Sequence, residues 1–380
     1  MLKTQSVLSK FNFKEIFSSY DRSFIIIVLG ISVFGLLAVF NSSVVLGFRD
    51  FNNQYHFIED QAVYLIFGLV LMLIVSRINY RWWYKAAVPL LVITIILLLV
   101  VFVPGIGIKA YGAKRWISLG FINLQPTEIA KLSLIIYLSA WFSYKEKGRF
   151  LPFLVLVGIV VTLIVLQPDL GTAIIITLIA AVLYFVSGAP LVQFGLLIPL
   201  IAFGVAILTI IAPYRMTRLL TFLNPDMDPL GSSYHIRQIL IALGSGGWFG
   251  LGLGKSRQKY EYLPEANTDS IFAVIAEEIG FIGSSILVFG YMFMIYRAFL
   301  IARSSPDRFG QLLGTGIATW IAVQTIINLS SMVVLLPLTG VPLPLISYGG
   351  SNLISLLIGI GVLLNISTYK TVLNKKHRNV

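Results

Sequence analysis

Ten apolar runs constrain this chain more than any other feature. They fall at 24–46, 61–77, 86–103, 126–143, 151–167, 171–188, 191–212, 271–297, 311–335 and 343–367. A hydrocarbon layer of roughly 30 Å takes about 20 helical residues to cross, so each run is the size of a transmembrane helix. Backbone in lipid must satisfy its own hydrogen bonds, which leaves helices as the solution for isolated runs. Composition agrees: the 380 residues are 57% hydrophobic and only 12% charged, with a mean hydropathy of +0.90, far from soluble-protein usage. The expected fold is an all-α integral membrane protein of about ten transmembrane helices. Two places interrupt apolar sequence with helix breakers, QPDLGT at 167–172 and PLTGVPLPLISYGG at 337–350.

Basic residues set the expected orientation. With the N-terminus inside, the cytoplasmic segments collect Lys3, Lys10, Lys14 and Arg22, then Arg77, Arg81 and Lys85, then Lys145, Lys147 and Arg149, then Arg297, Arg303 and Arg308, and finally Lys370, Lys375, Lys376 and Arg378. Both termini are therefore expected to be cytoplasmic. This divides the chain into a cytoplasmic segment 1–23, a membrane domain 24–367 with one large extracytoplasmic loop at 213–270 between helices 7 and 8, and a basic tail 368–380. Residues 1–23 have no apolar core ahead of the first run and are not expected to be a cleavable signal. The net charge of +12 is largely this topology signal, and no soluble basic domain exists to bind nucleic acid. No cysteine occurs, and the three histidines, His56, His235 and His377, are scattered without metal-ligand spacing.

Two outside loops break the charge rule. The first, 104–128, carries Lys109, Lys114 and Arg115 followed by Trp116. It reads either as an interfacial anchor or as a phosphate site, since the arginine fork matches phosphate oxygens. The second, 213–270, holds six Lys/Arg against five Asp/Glu. Arg215 and Arg218 share a face if their segment is helical, and 234–243 has the spacing of an amphipathic or re-entrant helix. The tract GSGGWFGLGLGKS at 244–256 resembles a P-loop but fails as one, because Phe249 stands where the motif needs glycine. Its glycines allow backbone N–H groups to approach an anion or headgroup.

Ionisable groups within spans are costly in hydrocarbon unless paired or solvated. Glu128 and Lys131 lie three apart on the fourth span and can pair. Asp169 can cap the sixth helix or line a polar cavity. Glu277 and Glu278 point about 100° apart on a helix, so at most one faces the cavity of Asp269. Asp269 itself, at the mouth of the eighth span, reads equally well as a first-turn cap and as a catalytic acid or base.

Five motifs together resemble one family. GAKRWISLG (112–120), LQPTEIAKL (124–132), QPDLGT (167–172), GSGGWFGLGLGKSRQKYEYLPEANTDSIFAVIAEEIG (244–280) and PLPLISYGGSNL (342–353) are similar, in one order from the first span to the last, to the SEDS proteins of shape, elongation, division and sporulation. The LPEA stretch (263–266) resembles the division branch, FtsW, more than the elongation branch, RodA. Departures from the family pattern are Asn267 for a common His, Ser270 and Leu345 for Phe, and Asn352 for a second serine.

The resemblance implies a peptidoglycan glycosyltransferase that polymerises lipid II on the outer face of the bacterial cytoplasmic membrane, at the division septum. Its implied partners are the growing lipid-linked glycan, a class B penicillin-binding protein as transpeptidase and other divisome membrane proteins. It implies Asp269 as the essential loop acid, Arg115 and Trp116 as a functional pair, Glu128, Lys131 and Asp169 as embedded polar positions, and Ser347, Gly349, Gly350 and Ser351 as the motif of the last hairpin. The chemistry requires a base for the acceptor hydroxyl, for which Asp269 is the candidate, and charge stabilisation for a departing diphosphate. Arg115, Arg215, Arg218, Lys255 and Arg257 are candidates for the latter, with Lys114 and Glu265 beside them as substrate-binding positions. A divalent cation, Mg²⁺ or Mn²⁺, would serve the same end, with no ligands assigned. Glu277 is placed with the structural or cavity polar groups. A lipid II flippase and an elongation-type polymerase are the alternative readings.

Overall fold

A computed structural model describes residues 20–110, 113–118, 123–144, 148–226, 228 and 231–378, with the side chains of 109, 110, 113 and 370–378 excepted. Lys3, Lys10, Lys14, Lys145 and Lys147 lie outside the described residues, as do the side chains of Lys109, Lys370, Lys375, Lys376, His377 and Arg378.

A helix occupies each of the ten predicted intervals. In chain order these are α1 (Arg22–Phe51), α2 (His56–Arg77), α3 (Trp82–Val100), α4 (Pro126–Phe142), α5 (Phe150–Leu166), α6 (Leu170–Val186), α7 (Leu191–Ile211), then two loop helices, α8 (Pro213–Leu223) and α9 (Tyr234–Gly246), and finally α10 (Ile271–Arg303), α11 (Arg308–Met332) and α12 (Gly350–Arg378). Among the described residues seven of these are long and apolar enough to cross a membrane, and α5 and α6 are shorter apolar helices. The chain is a multi-pass membrane protein. The centre of the bundle is α4, α11 and α12, where Leu134, Ile135, Leu138, Trp320, Leu356 and Ile360 are buried. At the opposite extreme α7 buries only Leu197, and its apolar surface is left for lipid.

The structure departs from the predicted pattern in three places. The first outside loop, read as 104–128, holds strands among its described residues and gives way to α4 at Pro126. It contains a three-stranded antiparallel sheet, β1 (Gly107–Ala110), β2 (Ala113–Ser118) and β3 (Asn123–Leu124), in the order β1-β2-β3. The predicted run 343–367 begins as a helix only at Gly350. Residues 343–349 are non-helical but buried, with Leu343, Leu345, Ile346 and Ser347 almost wholly enclosed. Pro342 and Pro344 explain this, since each lacks an N–H for a helical ladder. Irregular backbone is tolerated here because neighbouring helices supply partners. Asn328 Nδ2 donates to Val341 O at 2.8 Å, Gln324 Nε2 to Pro342 O at 3.0 Å, and Gln61 Nε2 to Ser347 O at 3.3 Å.

The third departure is a break inside α10, where Gly280 has φ 69° and ψ −170°. The glycine tract 246–252 fills it. Past the break, Phe281 N donates to Gly247 O (2.9 Å) and Ile282 N to Trp248 O (3.1 Å). Before it, Glu277 O accepts from Leu251 N (3.0 Å) and Glu278 O from Gly252 N (3.0 Å). Four backbone groups that a continuous helix would pair internally are thus paired with the loop. The approach requires glycine: a Cβ on Gly280 would lie 2.2 Å from Gly250 N, and one on Gly250 would lie 2.1 Å from Glu278 O. The expectation that these N–H groups face an anion is corrected for Leu251 and Gly252, whose amides are spent on α10.

At the far ends of the helices ion pairs tie the chain together. Asp21 caps α1 through Phe24 N at 3.1 Å and pairs with Arg297. Asp307 caps α11 through Gly310 N at 2.8 Å and accepts from Tyr80 Oη at 2.5 Å and Arg81 Nε at 2.9 Å.

Gly280→Ala is expected to lower the thermal stability of the detergent-solubilised protein sharply. Its φ/ψ alone would cost a side chain about 1–3 kcal/mol, and the Cβ would also strike backbone. Gly244→Ala, with no heavy atom within 4 Å of the added carbon, should melt like the wild type. Equal melting temperatures for the two variants would contradict this account of the break.

Candidate functional site

Asp269 lies at the end of the bundle where β2, the α5–α6 junction, α8, α9 and the non-helical segment 333–349, buried from Val341 to Ser347, meet. Its rival role as a helix cap is excluded by geometry. The N-cap of α10 is Ser270, no side-chain capping bond is made there, and among the described residues the Asp269 carboxylate accepts no hydrogen bond. What is fixed is its backbone. Asn328 Nδ2 donates to Asp269 O at 2.9 Å, Ser347 Oγ to Thr268 O at 2.6 Å, and Tyr348 N to Asn267 O at 3.0 Å. The carboxylate is held by its main chain and left free at its oxygens. Gly340, at φ +73°, keeps one side open: a Cβ there would sit 3.4 Å from Asp269 Oδ2.

Burial pushes the Asp269 carboxyl up to about 7, with the Glu265 charge adding to the rise and Asp169 contributing less. Arg218 and Arg115 pull the other way. Such a group is part carboxylate at neutral pH and basic enough to take a proton, the property required of a general base.

The surrounding cations differ in how far they are engaged. Arg115 donates through Nε to Gln167 O at 2.9 Å and through Nη2 to Pro168 O, so it ties β2 to the α5–α6 junction. Arg215 is buried and committed to Leu208 O (2.9 Å) and Tyr214 Oη (2.8 Å), an anchor between α8 and α7. Arg218 is exposed and makes one hydrogen bond, to Leu338 O at 3.1 Å, which leaves most of its fork for a ligand. Lys114 is exposed and Trp116 half-buried on β2. Lys255 and Arg257 are exposed on a segment held from beneath by Glu277, whose carboxylate accepts from Ser256 Oγ, Arg257 N (3.2 Å) and Gln258 N (3.3 Å). Glu277 is therefore a structural anchor of the loop, while Glu278 pairs with Lys259 at 3.7 Å. Glu265 accepts from Thr268 Oγ1 at 2.6 Å.

Asp169 does cap α6, accepting from Thr172 N at 3.1 Å and Thr172 Oγ1 at 2.9 Å, and its charge still reaches Asp269. Glu128 and Lys131 pair at 2.8 Å, both buried. Lys131 Nζ also donates to Gln324 Oε1 at 3.1 Å and lies 5.0 Å from the centre of the Trp320 ring. Gln324 passes the network on to Asn352 Oδ1 at 3.0 Å and to Pro342 O. The serines of the last hairpin serve the backbone. Ser347 Oγ accepts from Leu343 N at 2.8 Å, and Ser351 Oγ donates to Asn123 O at 2.8 Å and accepts from Gln125 N at 3.1 Å.

Sequence reasoning missed Gln61, Gln324 and Asn328, which hold the buried hairpin, and His235, which contacts Ser270 Oγ at 2.7 Å. The signal for the first three was available: neutral amides inside apolar runs hydrogen-bond between helices. Weighing only ionisable groups passed over them. Among the described residues no group of three His, Asp or Glu side chains converges to hold a metal ion, so no step is routed through one.

The model of the FtsW, RodA and SpoVE cell cycle protein family matches residues 21–372. A probable peptidoglycan glycosyltransferase FtsW of Coxiella burnetii is 41% identical over 362 residues, covering 93% of this chain and 97% of that protein. The stage V sporulation protein E of Bacillus subtilis is 38% identical over 358 residues, covering 93% and 98%. Among solved structures, a chain of a peptidoglycan synthase complex that coordinates polymerization and crosslinking superposes with a TM-score of 0.76 at 30% identity, covering 92% of this chain and 98% of that one. The rod shape determining protein RodA of Thermus thermophilus superposes at 0.68 with 28% identity, covering 92% and 96%.

Removing one member of the buried Glu128–Lys131 pair should destabilise more than removing both. Glu128→Gln or Lys131→Met alone strands a charge, at about 3–5 kcal/mol. The double variant, compared by thermal melting in the same detergent, should recover part of that loss.

Proposed function

The chain belongs to the FtsW, RodA and SpoVE family of cell cycle proteins and is a peptidoglycan glycosyltransferase, and we propose that it polymerises lipid II with Asp269 as general base. The observation that carries the reading is a carboxylate fixed by its backbone, unpartnered at its oxygens and raised to about 7. In the proposed step an acceptor sugar hydroxyl attacks the anomeric carbon of a donor joined to a lipid diphosphate. The new C–O bond forms as the bond to the diphosphate oxygen breaks, the hydroxyl proton passes to Asp269, and the diphosphate leaves with the electron pair. Attack opposite the leaving group inverts the anomeric centre. One carboxylate suffices, because a diphosphate leaves without protonation.

Of the two cations close enough to act on Asp269, Arg218 is the one with more unspent donors for the diphosphate, since Arg115 is tied to Gln167 O and Pro168 O. Arg115 adds charge while holding β2, and Lys114, Lys255 and Arg257 remain outer positions that a long anionic substrate can reach. Arg215, buried and with Nε and Nη1 engaged, acts on the site through the placing of α8. Charge stabilisation of a departing diphosphate by such groups is the largest service the protein can render.

The end of the bundle carrying Asp269 is proposed to face outward, with both termini cytoplasmic as the basic residues indicate. A class B penicillin-binding protein is the proposed transpeptidase partner, supported by the likeness to a chain of a synthase complex. The septum is the proposed location, supported by the FtsW names of the relatives. A flippase reading is disfavoured, since Glu128, Lys131, Asp169 and Glu277 are each engaged in local bonds rather than strung along a path.

The test is reconstitution of the full-length protein with its partner and labelled lipid II. Asp269→Asn is expected to reduce glycan synthesis by about 10²–10⁴-fold, and continued synthesis would sink the assignment. Wild-type activity should rise with pH through about 7, because the carboxyl is raised and must lose its proton before it can accept another. A flat profile between pH 6 and 8 would contradict the proposed base.

A further inference from the structure

The N-cap residue of α10 does not cap. Ser270 is fully buried and in cap position, yet its hydroxyl makes no bond to the first turn of its own helix. It turns instead to His235 Nε2, 2.7 Å away, on the first turn of α9. This hydroxyl belongs to the residue directly after Asp269. The other tethers of the 265–270 segment come from α11 through Asn328 and from the buried hairpin through Ser347 and Tyr348. The His235–Ser270 bond is the tether from the side of the large loop, and it connects α9 to the peptide that carries the carboxylate.

From this geometry we infer that His235 is a positioning residue for Asp269, fixing the carboxylate through Ser270. The inference rests on the reading of Asp269 as general base. The charge state of the ring matters as much as its position. Burial, with Arg218 beside it, holds the imidazole down to about 4, so it is neutral wherever the enzyme works. The charged groups facing Asp269 are then Glu265 of its own segment, Arg218 of α8, Asp169 at the start of α6 and Arg115 of β2, while the group facing His235 is Arg218. A cation in place of His235 would pull the Asp269 carboxyl down and weaken it as a base. A neutral ring supplies a hydrogen bond and excludes water without doing so. Arg218 acts electrostatically on both groups, lowering each one's pKa.

The test uses the full-length protein with its transpeptidase partner and fluorescent lipid II, comparing wild type, His235→Ala, His235→Gln, Ser270→Ala and the double alanine variant. His235→Ala should lower kcat about tenfold or more, as misplacement of a reacting group does, with KM changed less than about twofold. His235→Gln, which keeps a neutral hydrogen-bonding group, should recover most of the rate. Ser270→Ala should match His235→Ala, and the double variant should be no worse than either single one, because both remove the same bond. The acid limb of the pH profile should move to lower pH in His235→Ala, where water reaches the carboxyl, and stay in place in His235→Gln. An unchanged kcat and limb in His235→Ala, or additive losses in the double variant, would overturn the inference. Should His235→Ala fail to fold, Ser270→Ala, which deletes a single oxygen, decides the matter. Activity surviving in Asp269→Asn defeats the general-base reading. An inert Asp269→Asn beside an unaffected His235→Ala defeats only the role of His235.

Discussion

Backbone hydrogen bonds broken inside an apolar bundle must be remade, and the structure around Asp269 depends on how this chain remakes them. Water is absent from the interior of such a bundle, so an unpaired amide or carbonyl costs several kcal/mol. The break at Gly280 frees two carbonyls and two amides, and the glycine tract lies against them with complementary groups at 2.9–3.1 Å. That pairing draws the large loop back onto α10. Glu277, just before the break, then gathers the amides of 257 and 258 with its side chain. The path of the chain from 246 to 258 is therefore set by one helix, and it returns to the start of that same helix at Asp269.

The same rule shapes the other wall of the site. Pro342 and Pro344 prevent a helix in 341–349, and the stranded carbonyls find Asn328, Gln324 and Gln61. Gln324 is connected in turn to Lys131 and Glu128, so the embedded ion pair lies behind the hairpin that faces Asp269. The result is a rigid surround for one carboxylate whose own oxygens are left free. Rigidity of the backbone and freedom of the functional atoms are what a base acting on a mobile lipid substrate requires.

Much of the architecture was legible in order and much of the site was not. All ten helical intervals follow from apolar length and the Glu128–Lys131 pair from spacing, while Asp169 was open between a cap and a cavity role until the structure showed the cap. The small sheet at 107–124 was not legible, because it is a sheet of two to six residues per strand with no strong alternation to mark it. Arg215 and Arg218 look equivalent in sequence, three apart on a short helix. Only the fold shows that one is spent on Leu208 O and the other exposed. His235 gave no signal, since its partner lies 35 residues away and its meaning depends on that contact.

The sequence by itself determined a multi-pass helical membrane protein, the two interruptions at 167–172 and 337–350, and the carboxylate at the mouth of the eighth span, but not the break at Gly280. It did so because hydrocarbon imposes length and apolarity locally, and proline and glycine act where they stand. The tertiary structure decided that Asp269 is not a cap, that the Leu251 and Gly252 amides of the glycine tract are spent on α10, and that Arg215 is buried where Arg218 is exposed. Those outcomes rest on burial, on charge at a distance and on backbone partners far apart in the chain, none of which has a local signature in sequence.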